Sequence, residues 1–253
     1  MKKLIRFPVP SLALDVRIAS NRCEWTGAFE LVYRCYLAKN YIPPHPGRIV
    51  YQPVFGLPVS RTIIATSELD EVLGTLTVVG DNASGMQLEA TYPFEVQSLR
   101  SDGRKVAEIT CLAVWPTHEF HPRAVFFAIT RFMFHYTRWA GYDDLLMAIH
   151  PSHQKFYQYC LGAESLGPLR PNKAVRGNPS VCCRIDLHKL RSRVNPKLLQ
   201  QYETGEQPES RFKAPKIPQA DHLHFCRLRG ISPEGDFLAG KAERHRALGR
   251  DAA

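Results

Sequence analysis

The chain has 253 residues, 44% of them hydrophobic, which suits one large domain with a real core and excludes a disordered or low-complexity chain. Lys and Arg outnumber Asp and Glu by 33 to 24, a formal charge of +9, so an acidic partner is expected: nucleic acid, a membrane surface or an acidic protein. No apolar run is long enough to span a membrane, the start MKKLIRFPVP lacks a signal-peptide core, and the seven cysteines, including adjacent Cys182 and Cys183, follow no disulfide framework; the reading is a soluble, cytoplasmic protein without a transmembrane segment.

Phe7 to Ile18 reads as an irregular, proline-containing lead into an edge strand. Glu24 to Asn40 places Phe29, Val32, Tyr33, Tyr36 and Leu37 at helical spacing. Tyr41 to Pro58 is a proline-rich loop, either a lid over a site or a plain connector. RTIIAT and LGTLTVV, joined by a polar turn, predict a β-hairpin over 61–79, and a short helix is expected at Phe94 to Arg100.

The centre of the chain runs from Ala107 to Gly162. AEITCLAV predicts a strand, Arg123 to Trp139 a helix apolar on nearly every face, Leu145 to Ile149 a strand buried on both sides, and HPSHQKFYQYCLG a second helix. This is a βαβα unit with parallel strands. Ser180 to Leu187 is a further strand. One domain is expected over 1–190, followed over 191–253 by a basic, proline-containing, partly ordered extension, weakly helical near its end.

The order of elements and the motifs VYRCY (32–36), GTLTVV (74–79), AEITCLAV (107–114) and DDLLMAIHPSHQKFYQYCLGAE (143–164) resemble the N-acetyltransferase-like (GNAT) acyltransferases, and within them the N-acyl amino acid synthases related to acyl-homoserine-lactone synthases. The resemblance implies an α/β, GNAT-like acyl-CoA N-acyltransferase fold: a mixed central sheet flanked by helices, whose strands at Ala107 to Val114 and Leu145 to Ile149 splay apart to admit a pantetheine arm. It also implies transfer of a fatty acyl group from an acyl carrier protein or acyl-CoA thioester to the α-amino group of an amino acid, with no permanent cofactor and no metal.

Acyl-CoA users of this fold hold the pyrophosphate on a glycine-rich loop before the helix, where backbone N–H groups face the anion. The matching stretch here, THEFHPRAVF (117–126), has no glycine. A carrier protein presents one phosphodiester instead, and its acidity complements a basic enzyme. Carrier protein is therefore the expected partner, and no nucleic acid is expected.

Aminolysis of a thioester needs a neutral amine, a polarised carbonyl and a proton for the thiolate. Glu108 is the candidate base: a carboxyl in an apolar strand, matching by position a glutamate of the homoserine-lactone synthases. The alternative is an ion pair with Arg104 or Lys105. Tyr157 matches a tyrosine that the superfamily sets near the leaving thiolate, and it equally fits a packed helix face. Substrate-binding candidates are Thr110 and Cys111 on the same strand, His150 after the next strand, and Arg34 on the first helix, whose guanidinium suits a carboxylate. Cys111 stands where the relatives have arginine, which opens a covalent route through its thiol or leaves it a buried, inert side chain.

His222, His224 and Cys226 share a face if 222–228 is a strand, but no further ligand supports a metal site. The tail cations Arg211, Lys213, Lys216, Arg227 and Arg229 read as solvated or as a docking arm. Two rival functions stay open: a non-catalytic module of the same fold that binds acyl carrier protein or nucleic acid, and a homoserine-lactone synthase.

Overall fold

The hairpin expected over 61–79 forms as two antiparallel strands, Ser60–Thr66 and Val72–Gly80. The computed structural model describes residues 14–205 and 207–233. Expectations for 1–13 and for the chain end beyond 233 lie outside the described residues. The strands are β1 (Asp15–Ile18), β2 (Ser60–Thr66), β3 (Val72–Gly80), β4 (Val106–Val114), β5 (Asp144–Ile149), β6 (Glu164–Ser165), β7 (Arg170–Asn172) and β8 (Asn178–Asp186). They form one sheet in the order β1-β2-β3-β4-β5-β8-β6, with β7 also pairing β8. Only the β4–β5 pair is parallel among these pairings; the rest are antiparallel. The sheet is therefore mixed and the layers are α/β, with helices on both faces.

The helices are α1 (Arg22–Ala38), α2 (Pro93–Ser101), α3 (Pro122–Trp139), α4 (Gln154–Leu161), α5 (Leu190–Arg193), α6 (Pro196–Glu203) and α7 (Gln219–Arg229). Asn21 starts α1 by accepting the Glu24 N–H at 3.1 Å, which satisfies one of the open donors of the first turn. α3 is apolar nearly all round because it is packed on two sides. Val125, Ile129 and Met133 sit in one core with Ile63, Leu76, Val78, Ile109 and Met147 of the sheet, while Phe134 meets Tyr202 of α6 at 4.9 Å between ring centroids. Gly74 is required by this contact: a Cβ there would stand 2.6 Å from both Ile129 and Val125 side-chain carbons.

The other sheet face carries two smaller cores. One gathers Phe29 and Val32 of α1, Tyr51, Phe55, Ile64, Val79 and Phe225 of α7; the other gathers Met86, Tyr92, Val96 of α2, Leu146 and Cys182. The proline-rich loop is a wall of the first of these, since Ile49, Tyr51, Val54 and Phe55 are buried, so the lid reading does not hold for that part of it.

Over its described part the extension packs on the domain. Leu190, Val194, Leu198 and Tyr202 recur every four residues and are buried on the α3 side, and Ile217, Phe225 and Cys226 are buried on the α1 side. The prolines that suggest disorder instead start helices: Pro196 is the first residue of α6 behind the Asn195 cap, and Pro218 precedes α7. The stretch 222–228, read as an alternating strand, is helical. That places His222 and Cys226 one turn apart, with His222 against the Tyr51 hydroxyl at 2.7 Å, and turns His224 away from them. Arg211 is not solvated either; it donates to the Asp15 carboxylate at 2.5 Å and the Val16 carbonyl at 3.0 Å.

Candidate active site

β4 and β5 pair only from Val106 and Asp144 to Glu108 and Leu146. Beyond that point they part. The resulting cleft, about 260 Å³, is lined on one side by Ile109 to Leu112 of β4 and on the other by Met147 to Ile149 of β5. The departure coincides with a bulge: the partners of β4 shift from Thr110 against Thr77 to Ala113 against Thr75, three steps on one strand against two on the other. Cys111 takes the extra residue with φ of +54°, a left-handed conformation that costs a non-glycine residue about 1 kcal/mol or more. A bulge bends its strand and takes backbone groups out of the ladder, which suits a strand that must leave its neighbour.

The bulge also changes which side chains face the helices. Val106 and Glu108 point to the α1 and α2 side by ordinary alternation; after the bulge it is Cys111 and Ala113 that join the α1 core. Glu108 and Thr110 are left between the two smaller cores, at the cleft.

The closed end of the strands is pinned by charge. Asp144, with a side chain 0% exposed, accepts from Arg104 Nε at 2.6 Å and Arg184 Nε at 2.7 Å, and Asp186 accepts from Arg104 Nη2 at 3.2 Å and Arg184 Nη2 at 3.3 Å. Arg104 is thus engaged elsewhere, and it is not the partner of Glu108.

Glu108 is buried, and its carboxylate accepts the Leu88 N–H at 3.1 Å. Burial pushes its carboxyl up to about 7; the N–H groups of Leu88 and Gln87 pull the other way, and the charge of Glu89 adds to the rise. Among the described residues no cation pairs with it, although Arg229 lines the same cleft. A carboxyl half-ionised at neutral pH is suited to taking a proton there.

Thr110 lines the cleft half-buried, its hydroxyl 3.9 Å from the Cys111 sulfur. Cys111 is buried and burial pushes its thiol up to about 12, so the covalent route through a thiolate has no support at neutral pH. His150 also lines the cleft, and its Nδ1 both meets the Ser152 hydroxyl at 2.7 Å and accepts the Ser152 N–H at 3.2 Å, capping the single turn at Pro151–His153. Tyr157 of α4 reaches the same cleft; burial pushes its phenol up to about 12. Arg34 is the exception. It is exposed, lies over the Trp115 ring at 4.7 Å, and lines a separate shallow groove with Arg17, Glu24 and Glu30, so the structure does not bring it to Glu108. Its side chain points out because position 34 falls on the polar side of α1, opposite Phe29 and Val32.

Sequence reasoning left out Tyr36, Tyr41, Gln52, His153 and the part played by Arg229, all of which line the cleft. Tyr36 lies within the VYRCY motif, two residues from Arg34, and helical phasing on the buried side was its signal. His153 adjoins His150, ring centroids 6.2 Å apart, and burial with the charges of His150 and Lys39 holds its imidazole below the ordinary value. Among the described residues no His, Cys, Asp and Glu cluster could hold a metal ion, and no helix is long and apolar enough to cross a membrane.

With this geometry in view, the solved structures give the fold. The chain is similar to FeeM, an N-acyl amino acid synthase from uncultured soil microbes, with a TM-score of 0.65 at 22% identity over 76% of this chain and 100% of that one. It is similar to the acyl-homoserine-lactone synthase LasI, TM-score 0.57 at 13% identity over 79% and 99%. The CoA-dependent acyl-homoserine lactone synthase BjaI, solved with SAM and isopentyl-CoA, matches with a TM-score of 0.53 at 12% identity over 85% and 99%. No curated protein matches the chain. The family model of the N-acyl amino acid synthase FeeM matches residues 27–186, more than half of the chain, from α1 to the end of β8. The chain is an acyltransferase of GNAT-like fold, and it belongs to the FeeM family of N-acyl amino acid synthases.

Proposed function

We propose that the chain moves a fatty acyl group from a carrier-bound thioester to the α-amino group of an amino acid, giving an N-acyl amino acid and a free thiol. The observation that carries this reading is a buried carboxyl, held by backbone N–H and paired with no cation among the described residues, at the point where two strands splay apart. The neutral amine attacks the thioester carbonyl carbon while Glu108 accepts a proton from its nitrogen. Backbone N–H groups released from the ladder at the Cys111 bulge hydrogen-bond the carbonyl oxygen as it gains charge. The C–N bond forms, the C–S bond breaks, and the proton taken from the amine ends on sulfur. Tyr157 assists by donating a hydrogen bond to the departing sulfur. It keeps its proton, because transfer from a phenol near 12 to a thiolate of ordinary pKa about 8.5 is uphill. Thr110 and His150 line the path of the pantetheine arm.

Acyl carrier protein is the favoured donor over CoA. The start of α3, where a pyrophosphate would sit, offers few donors: Pro122 has no N–H, and the Arg123 N–H is taken by His121 Nδ1 at 3.2 Å. A net charge of +9 supports encounter with an acidic carrier. The cytoplasm, which holds such carriers and a reducing medium, suits a chain whose seven cysteines form no disulfide.

The test is thiol release from long-chain acyl carrier protein and, separately, long-chain acyl-CoA, each with pooled amino acids and mass spectrometry of the products. An N-acylated amino acid, formed faster from the carrier-protein donor, is expected. Binding of a donor without thiol release under any acceptor would replace this reading with a binding module.

A further inference from the structure

The cleft holds a cation as well as a carboxyl. Arg229 stands in the last turn of α7, outside the stretch that the family model matches, and α7 is firmly seated. Phe225 packs on Phe29 and Tyr51 with ring centroids 5.1 and 5.2 Å apart, and His222 meets the Tyr51 hydroxyl at 2.7 Å. The Leu228 carbonyl occupies the space a Cβ would need on Gly47. From this fixed helix end Arg229 reaches into the cleft that Glu108, Tyr36 and Gln52 also line.

Its guanidinium lacks what other half-buried arginines have. Arg100, Arg104, Arg170 and Arg184 each lie within 3.0 Å of a carboxylate oxygen. Arg229 Nε is buried with no hydrogen-bond partner, and among the described residues no Asp or Glu forms an ion pair with it. Burial lowers its pKa, against a small opposing effect of Tyr33. A half-buried cation with no counter-ion among the described residues gains little from the fold and is placed to meet an arriving anion.

We infer that Arg229 is the receptor for the carboxylate of the acceptor amino acid. This rests on the transferase reading above, and it gives the C-terminal helix a task in the site. The α-amino and carboxylate groups share one carbon, so whatever binds the carboxylate must lie in the same cleft as the base that serves the amine. The donor phosphate is a whole pantetheine arm away from the thioester. A guanidinium binds a carboxylate through two parallel N–H···O bonds, which orients the amine as well as holding it.

The experiment compares equilibrium binding of an N-dodecanoyl amino acid and of the matching N-dodecanoyl amine without its carboxylate, in the wild type, Arg229→Lys and Arg229→Met, with phosphopantetheine as a third probe. The wild type should prefer the acid at least tenfold; Arg229→Met should lose the preference and Arg229→Lys keep part of it. In turnover, Arg229→Met should raise KM for the amino acid about tenfold or more with kcat and the donor KM little changed. Because the unpaired charge gains little from the fold, Arg229→Met should melt no lower than the wild type, which separates a binding loss from misfolding. Equal wild-type binding of acid and amine overturns the inference, as does a loss of phosphopantetheine binding in Arg229→Met with the acid preference intact. A wild type that prefers the acid yet releases no thiol from any donor would keep the receptor and overturn the transferase.

Discussion

The two ends of the β4–β5 pair obey opposite electrostatic rules. At the closed end, Asp144 and Asp186 are met by Arg104 and Arg184 at 2.6 to 3.3 Å, and every charge has a partner. At the open end, Glu108 accepts from backbone N–H groups and Arg229 Nε donates to no acceptor. The closed end of the pair thus meets a matched cluster that ties β5 to β8 and to Arg104 just before β4, and the open end meets Glu108 of β4 and Arg229 of α7, which the fold leaves unmatched. Matched charge gives register and rigidity; unmatched charge leaves groups free to act on a substrate.

Breaking the matched end should cost the most stability. Asp144→Asn removes a buried carboxylate from two guanidinium groups and should lower unfolding free energy by about 3–5 kcal/mol, read from urea denaturation. A loss below about 1 kcal/mol would mean that the cluster does not pin the strands.

At the open end, Glu108→Gln should cut thiol release about 100-fold or more, roughly 3 kcal/mol in the barrier. It should also stabilise the fold at high pH. Glu108 is raised from its ordinary value to about 7, so the native state binds the extra proton between those values, and the wild type loses stability as pH rises through about 7. The advantage of Glu108→Gln should therefore be small near pH 5 and grow to about 3 kcal/mol by pH 8, on the scale of 1.36 kcal/mol per pKa unit. A constant difference across that range would mean that Glu108 is not desolvated.

Tyr157→Phe removes one hydrogen-bond donor and should slow turnover about tenfold without moving the pH profile. Cys111→Ala should have the smallest effect, less than about threefold, because a thiol pushed up to about 12 is not a nucleophile at neutral pH. Abolished turnover with an intact fold would bring back the covalent route.

The βαβα centre was legible because its periodicities are local: the apolar α3 and the unalternating β5 announce a helix packed on two sides and a strand covered on two faces. Glu108 was legible as a carboxyl in an apolar strand. The bulge was not, since ITCLAV reads as a regular strand and nothing near Cys111 is a glycine. The choice between Arg34 and Arg229 was not legible either. Both are arginines on helices, and which helix reaches the cleft is decided by packing between residues far apart in sequence, such as Tyr51 and His222, 171 positions apart. Over 191–229, proline and charge hid a four-residue apolar spacing that the core uses.

The central claim is that unmatched Glu108 serves as the base, and it is tested most directly by the pH dependence of kcat/KM for thiol release in the wild type and in Glu108→Gln. The wild type should show a rising limb with a midpoint near 7, below the separate limb of the acceptor amine, and Glu108→Gln should lose the lower limb while keeping the upper one. The same two limbs in both proteins would contradict the account.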